Sequence, residues 1–201
     1  MKNLSFNELF AQTTTENRYL ERGELLFKQG DPATHIYAVK EGCVKLIRYT
    51  EEGSAVCMHT AYAGESFAEA ALFSEIFHCD AEAVLPSTVC CYPKDEIFAI
   101  LHGSPERANK FIALLAGQVR SLRTLLEVRS IRNAKERTMQ FLLLRANPQS
   151  NEVFQKGTYK DMARELDLAH ETFYRSLAKL EKEGKIQRTP SAIRIIKPSL
   201  V

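Results

Sequence analysis

The hydrophobic period of this chain turns helical at Ser104-Pro105, and the change separates two kinds of fold. Before it, turn-forming glycines recur at Gly23, Gly30, Gly42, Gly53 and Gly64, close to the spacing of roughly 8–12 residues between short strands in a sandwich or roll. Strand-like runs lie between them over 24–28, 36–39, 44–49 and 56–61, with another over 88–92 after Pro86. Regular glycines and short strands predict a jelly-roll, a double-stranded β-helix. After Pro105, Phe111, Leu115, Leu122 and Leu125 or Leu126 recur at three-and-four spacing, with Ile112, Val119 and Val128 nearby. That predicts a helix of about 25 residues, capped by Ser104 with Pro105 in its first turn.

The arginines of this helix, Arg107, Arg120, Arg123 and Arg129, flank an apolar stripe wide enough for two surfaces. One side can cover the roll and the other can meet a second copy of the chain, so a homodimer is expected; the alternative is a single core helix. Asn133 followed by Glu136 is a capping-box pattern, which starts a new helix running through Met139, Phe141, Leu142 and Leu144 to near Ala146. A helix restarting directly behind another marks 131–133 as a hinge. Past Gly184, runs over 186–188 and 193–196 alternate around Thr189-Pro190-Ser191 and predict a hairpin. The expected class is α+β: a β-roll over 1–104, a dimerisation helix over 105–131 and a winged helix-turn-helix over 132–201.

Residues 158–184, TYKDMARELDLAHETFYRSLAKLEKEG, are the most specific stretch. Thr158 caps a first helix whose Met162, Ala163 and Leu166 are apolar on one side, and Asp167-Leu168 makes a turn. Phe173, Leu177 and Leu180 then bury one side of a second helix. His170, Glu171, Thr172, Tyr174 and Arg175 are left near its N-terminus as candidate readers of base edges, with Thr158 and the wing's Arg188 as further DNA contacts. Charge agrees. Residues 1–128 hold 12 Lys and Arg against 17 Asp and Glu, net −5, whereas 129–201 hold 15 against 8, net +7. A basic small domain is the electrostatic footprint of a nucleic-acid partner.

Several segments in the right order resemble the CRP/FNR superfamily of bacterial transcription regulators. GELLFKQGDPATHIYAVKEGCVKLIR is similar to the opening strands of the cyclic-nucleotide-binding roll, and GESFAEAALF to its phosphate-binding cassette. NAKERTMQFLL and HETFYRSLAKLEKEGKI are similar to the first and the recognition helices of the DNA-binding domain. The resemblance implies that Glu171 and Arg175, four apart, read a cytosine and its paired guanine within a palindromic duplex site; an i,i+4 ion pair is the alternative role. It also implies that Glu51 and Glu52, on a hairpin tip, contact RNA polymerase. Two positions depart from the pattern: Ala169 stands where a capping serine is usual, and Asp167 where a turn glycine is usual.

The resemblance places an effector pocket among Phe67, Glu69, Ala70, Phe77, His78, Leu122, Leu125 and Leu126. Glu69 matches the ribose-binding glutamate, but the glycine before it is Ala68, and no arginine lies between Leu72 and Ala83. A cyclic phosphate there would lack its charge-assisted partner, so cyclic AMP is disfavoured and an apolar pocket expected. GCVKLIR and SFAEAALF resemble the Dnr-like branch, which implies haem as an alternative, with His35, His59, His78, His102 and the cysteines as formal axial ligands. An FNR-type iron–sulfur cluster is disfavoured because no cysteine precedes Cys43. Cys90 and Cys91, adjacent in a strand, should face opposite ways, and buried structural thiols are the default.

No apolar run approaches the roughly 20 residues of a membrane span, and the start of the chain lacks a signal-peptide layout. Five cysteines form no secreted framework, so a cytoplasmic protein without a membrane partner is expected. No nucleophile–base constellation, metal-ligand spacing or phosphate-cradling glycine loop suggests an enzyme. The other function considered is a haem or small-molecule binding module with a vestigial DNA-binding domain.

Overall fold

The computed structural model describes residues 6–154 and 158–196. The chain divides into two compact units, Met1–Gly117 and Gln118–Val201.

Among the described residues the first unit holds a short helix α1 (Phe6–Leu9) and eight strands: β1 (Glu16–Leu20), β2 (Leu25–Phe27), β3 (His35–Glu41), β4 (Cys43–Tyr49), β5 (Ala55–Tyr62), β6 (Ser66–Phe67), β7 (Asp80–Ala83) and β8 (Ser87–Pro93). A 3-10 turn, Glu69–Phe73, follows β6, and helix α2 (Lys94–Gly103) follows β8. The strands form two antiparallel sheets, ordered β1-β8-β3-β6 and β2-β7-β4-β5. Alternation explains how β3 can read as a continuous apolar run. Tyr37 and Val39 enter the core between the sheets, while Ile36 and Ala38 enter a second cluster with Phe6, Phe10, Leu72, Tyr92, Ile97 and Phe111. Cys91 packs against the first cluster and Cys90 against the second, so the two thiols do face opposite ways. Of the five thiols only Cys43 is buried; Cys57, Cys79, Cys90 and Cys91 are half-exposed, which corrects the expectation of buried structural cysteines. Burial still pushes the Cys91 thiol up to about 11.

All five expected strands are present. Those not expected are β1, whose first four residues are exposed and polar, the two-residue β6, and β7, whose small and acidic DAEA lacks β-branched residues.

Helix α3 (Pro105–Ser130) runs unbroken for 26 residues, and Ser104 Oγ accepts from the Arg107 N–H at 3.3 Å as its cap. The second unit continues with α4 (Ala134–Arg145), β9 (Glu152–Phe154), α5 (Tyr159–Glu165), α6 (His170–Lys182), β10 (Ile186–Arg188) and β11 (Ala192–Ile195). Asn133 caps α4 as expected, its side chain accepting from the Glu136 N–H at 3.1 Å. The hairpin of β10 and β11 gains a third strand, β9, on its outer edge. Phe141, Leu142, Val153, Met162, Leu166, Phe173, Leu177, Leu180, Ile186 and Ile193 make one core, joined by Val128 and Leu125 from the end of α3. Leu125, one of the expected effector-pocket positions, is half-buried and packs against this core.

The junction at 131–133 is braced rather than loose. Arg137 Nε donates to Ile131 O at 2.7 Å, and the Ile131 N–H donates to Val128 O at 3.2 Å.

One glycine in the first unit is sterically required. Gly42 has φ of 90°, and a Cβ there would lie 2.2 Å from Ser87 Oγ and 2.7 Å from Pro86 O. Ser87 Oγ cannot yield freely, since it accepts from Cys43 N–H at 2.9 Å and donates to Leu85 O at 2.7 Å. Gly42→Ala is expected to destabilise the first unit by more than about 2 kcal/mol, combining left-handed strain with the clash, as read from urea unfolding.

Candidate nucleic-acid interface and effector chamber

Helix α5 begins with a complete capping box. Thr158 Oγ1 accepts from the Asp161 N–H at 3.2 Å, and the Asp161 carboxylate accepts from the Thr158 N–H at 2.9 Å. Thr158 stays exposed, but its hydroxyl is engaged in this cap and in a 2.5 Å bond to Asp161 Oδ2. The chain then turns through Asp167, which takes the left-handed conformation with φ of 53° at the position where a turn glycine is usual. Ala169 sits at the N-cap of α6 and supplies no side-chain cap.

Helix α6 has one fully buried side, Phe173, Leu177 and Leu180. That burial turns His170, Glu171, Tyr174 and Arg175 to the exposed surface and leaves Thr172 half-buried at its edge. Arg175 Nη2 lies 3.4 Å from Thr172 Oγ1, so its contact within the helix is to that hydroxyl and not to Glu171. Tyr174 packs edge-on against His170 at 4.6 Å and against Tyr159 at 5.3 Å between ring centroids. A shallow depression at the turn is lined by Lys160, Arg164, Asp167, Leu168, Ala169 and His170. Lys160 and Arg164 escaped the sequence analysis because their place beside the turn depends on how α5 packs.

The wing arginine is committed within the protein. Arg188 donates from N, Nε and Nη2 to the Glu181 carboxylate at 3.0, 2.9 and 2.6 Å. These bonds from Arg188 hold the Glu181 carboxyl below its ordinary range and raise the guanidinium. The pair's contribution is therefore present at neutral pH and is lost as pH falls through the lowered Glu181 value.

Of the expected effector residues, Phe67, Glu69, Ala70, Phe77 and His78 lie in the first unit, in β6 and the segment after it. Phe67 and Phe77 are buried in the core with Phe27 and Tyr37, and all four rings stack: Phe27 on Phe77 at 3.7 Å, Phe27 on Tyr37 at 5.5 Å and Tyr37 on Phe67 at 5.4 Å. Glu69 accepts from Ser66 Oγ at 2.5 Å, Ala70 is exposed, and exposed His78 meets Ser74 Oγ through Nε2 at 2.9 Å. In the second unit Leu122 and Leu126 are exposed on α3. Glu51 and Glu52 lie exposed on the turn between β4 and β5.

His59, His78 and His102 are exposed, and His35 is half-buried with Nδ1 at 2.8 Å from Thr34 Oγ1. No group of three or more His, Cys, Asp or Glu able to hold a metal occurs among the described residues. No helix among them is long and apolar enough to cross a membrane.

A β-roll with a cassette after its sixth strand, a long helix and a winged helix-turn-helix together define an α+β regulator architecture. Residues 17–104 match the cyclic nucleotide-binding domain family. The chain is 25% identical over 174 residues to electron transport regulator A of Shewanella oneidensis, covering 84% of this chain and 70% of that one. It is 24% identical over 185 residues to the transcriptional activator protein anr of Pseudomonas aeruginosa, covering 89% and 76%. Among solved structures, FixK2 of Bradyrhizobium japonicum superposes with a TM-score of 0.75 at 20% identity, covering 92% of this chain and 93% of that one. DNR of Pseudomonas aeruginosa gives 0.53 at 26% identity, covering 98% and 93%. Residues 17–104 thus carry a cyclic nucleotide-binding-type domain, and over most of its length the chain is similar to the bacterial regulators just named, in keeping with the CRP/FNR resemblance of its motifs.

At the cassette, Ala68 carries φ of 64°, a conformation that strains any residue with a Cβ. Ala68→Gly should relieve that strain and, after the added freedom of the unfolded chain, raise stability by about 0.5–1 kcal/mol in denaturant titration. A loss of stability would show that the Ala68 methyl is needed by its packing against the core.

Proposed function

We propose that this protein is a homodimeric, sequence-specific DNA-binding transcription regulator, without enzymatic activity, controlled through its roll by an effector other than cyclic AMP. The observation that carries the proposal is the outward set on α6. A carboxylate, a guanidinium and two aromatic groups stand exposed within two turns, opposite the buried Phe173, Leu177 and Leu180. Arg175 can fork onto guanine N7 and O6, and Glu171 can accept from the paired cytosine N4–H. Lys160 and Arg164, beside the same turn, suit flanking phosphates.

Pairing through α3 is supported by exposure. Ile112, Val119, Leu122 and Leu126 are 60%, 46%, 52% and 63% exposed, and their spacing of seven, three and four is that of a coiled-coil seam. A two-fold dimer would present two α6 helices to a palindromic site. An effector distinct from cyclic AMP is supported by the missing cassette arginine, the Glu69–Ser66 bond and the aromatic rings in the core. The exposed Glu51-Glu52 tip is offered as a contact for RNA polymerase.

Arg175→Ala is expected to lower affinity by about 1–3 kcal/mol and to relax preference at one base step, in a mobility-shift titration against matched and single-substituted duplexes. Unchanged affinity and unchanged base preference would refute the assignment.

A further inference from the structure

Three arginines from outside the helix-turn-helix grip its turn. Arg129, in the last turn of α3, donates from Nε to Glu165 O at 2.7 Å. Arg137, in α4, donates from Nη1 to Leu166 O at 3.2 Å and reaches Asp167 O at 3.5 Å, while its Nε holds Ile131 O at 2.7 Å. Arg145, at the end of α4, pairs with the Glu165 carboxylate. The Glu165 and Leu166 carbonyls lie at the end of α5, where a helix leaves carbonyls without intrahelical partners, and a cation there complements the negative end of the helix. The turn itself closes as a Schellman motif, with the Leu168 N–H donating to Ala163 O at 2.9 Å and the Asp167 N–H to Arg164 O at 3.0 Å, while Ala169 supplies no side-chain cap to α6.

We propose that Arg129 and Arg137 are positioning residues that tie the end of α3 to the turn before α6, so that the direction of the reading helix follows α3. The proposal rests on the DNA-binding, dimeric reading above. Arg137 is suited to the task because one rigid guanidinium joins the helix junction at Ile131 to the turn at Leu166 and Asp167. A lysine ammonium is a single point charge on a flexible stem and cannot span those positions as a planar fork does. Leu125 and Val128 add packing in the same direction, since both enter the core shared by α4, α5 and α6. In a dimer paired along α3, the clamp fixes the offset between two reading helices, which is the quantity a palindrome's half-site spacing measures.

The test uses the full chain and a duplex site enriched from a random pool by the wild-type protein. Affinity is then measured for that site and for versions with one base pair added or removed between half-sites, each a rotation of about 35°. Wild type should lose about tenfold or more with either change, as for a lost base contact. Arg137→Lys and Arg129→Ala, each shown folded by a cooperative thermal transition, should bind the original site with the discrimination between spacings reduced to about threefold or less. Their base preference inside each half-site should be unchanged, which a general loosening of the domain would not preserve. An unaltered spacing preference in the folded variants overturns the proposal. A wild-type protein that enriches no sequence fails one level lower and removes the DNA-binding reading with it.

Discussion

The burial of Phe173, Leu177 and Leu180 is the constraint on which the functional half of this protein depends. These three side chains fill a core already lined by Phe141, Leu142, Met162 and Leu166, and no other rotation of α6 presents three large apolar groups to it. Turning the helix by one residue, about 100°, would expose Phe173 and drive charged neighbours inward at a cost of several kcal/mol. The outward placement of Glu171 and Arg175 is thus enforced by packing and requires no partner to hold it.

The same logic gives the first unit its character. Both faces of β3 are buried, so its interior side must be apolar, and here it is aromatic. Phe27, Tyr37, Phe67 and Phe77 stack where the sheets face each other, and Glu69 is bonded to Ser66 within its own cassette.

Much of this was legible in the sequence, and the omissions have physical causes. Strong periodicity and turn glycines announced β2, β3, β4, β5 and β8, and caps announced α3, α4 and α5, because local rules govern those features. The strands β1 and β7 were hidden because one is exposed and polar and the other short and acidic; only pairing with β8, and with β2 and β4, makes them strands. The site divided the same way. The outward face of α6 follows from a 3.6-residue period, whereas the arginine clamp joins residues 29 to 36 positions apart and leaves no local trace. Arg188 looked like a free wing cation until its bonds to Glu181, seven residues away across the start of the wing, were seen. The junction at 131–133 reads as a hinge from its caps alone, and becomes a brace only when Arg137 folds back onto it.

Sequencing the duplexes that the full-length protein retains from a random pool bears most directly on the central claim that the exposed face of α6 reads DNA as half of a symmetric pair. The expected result is an enriched inverted repeat with a G·C pair at matching positions of both halves, lost from the pool when Glu171 and Arg175 are both replaced by alanine. Retention of duplexes with no shared sequence, or the same inverted repeat recovered by the double variant, would contradict it.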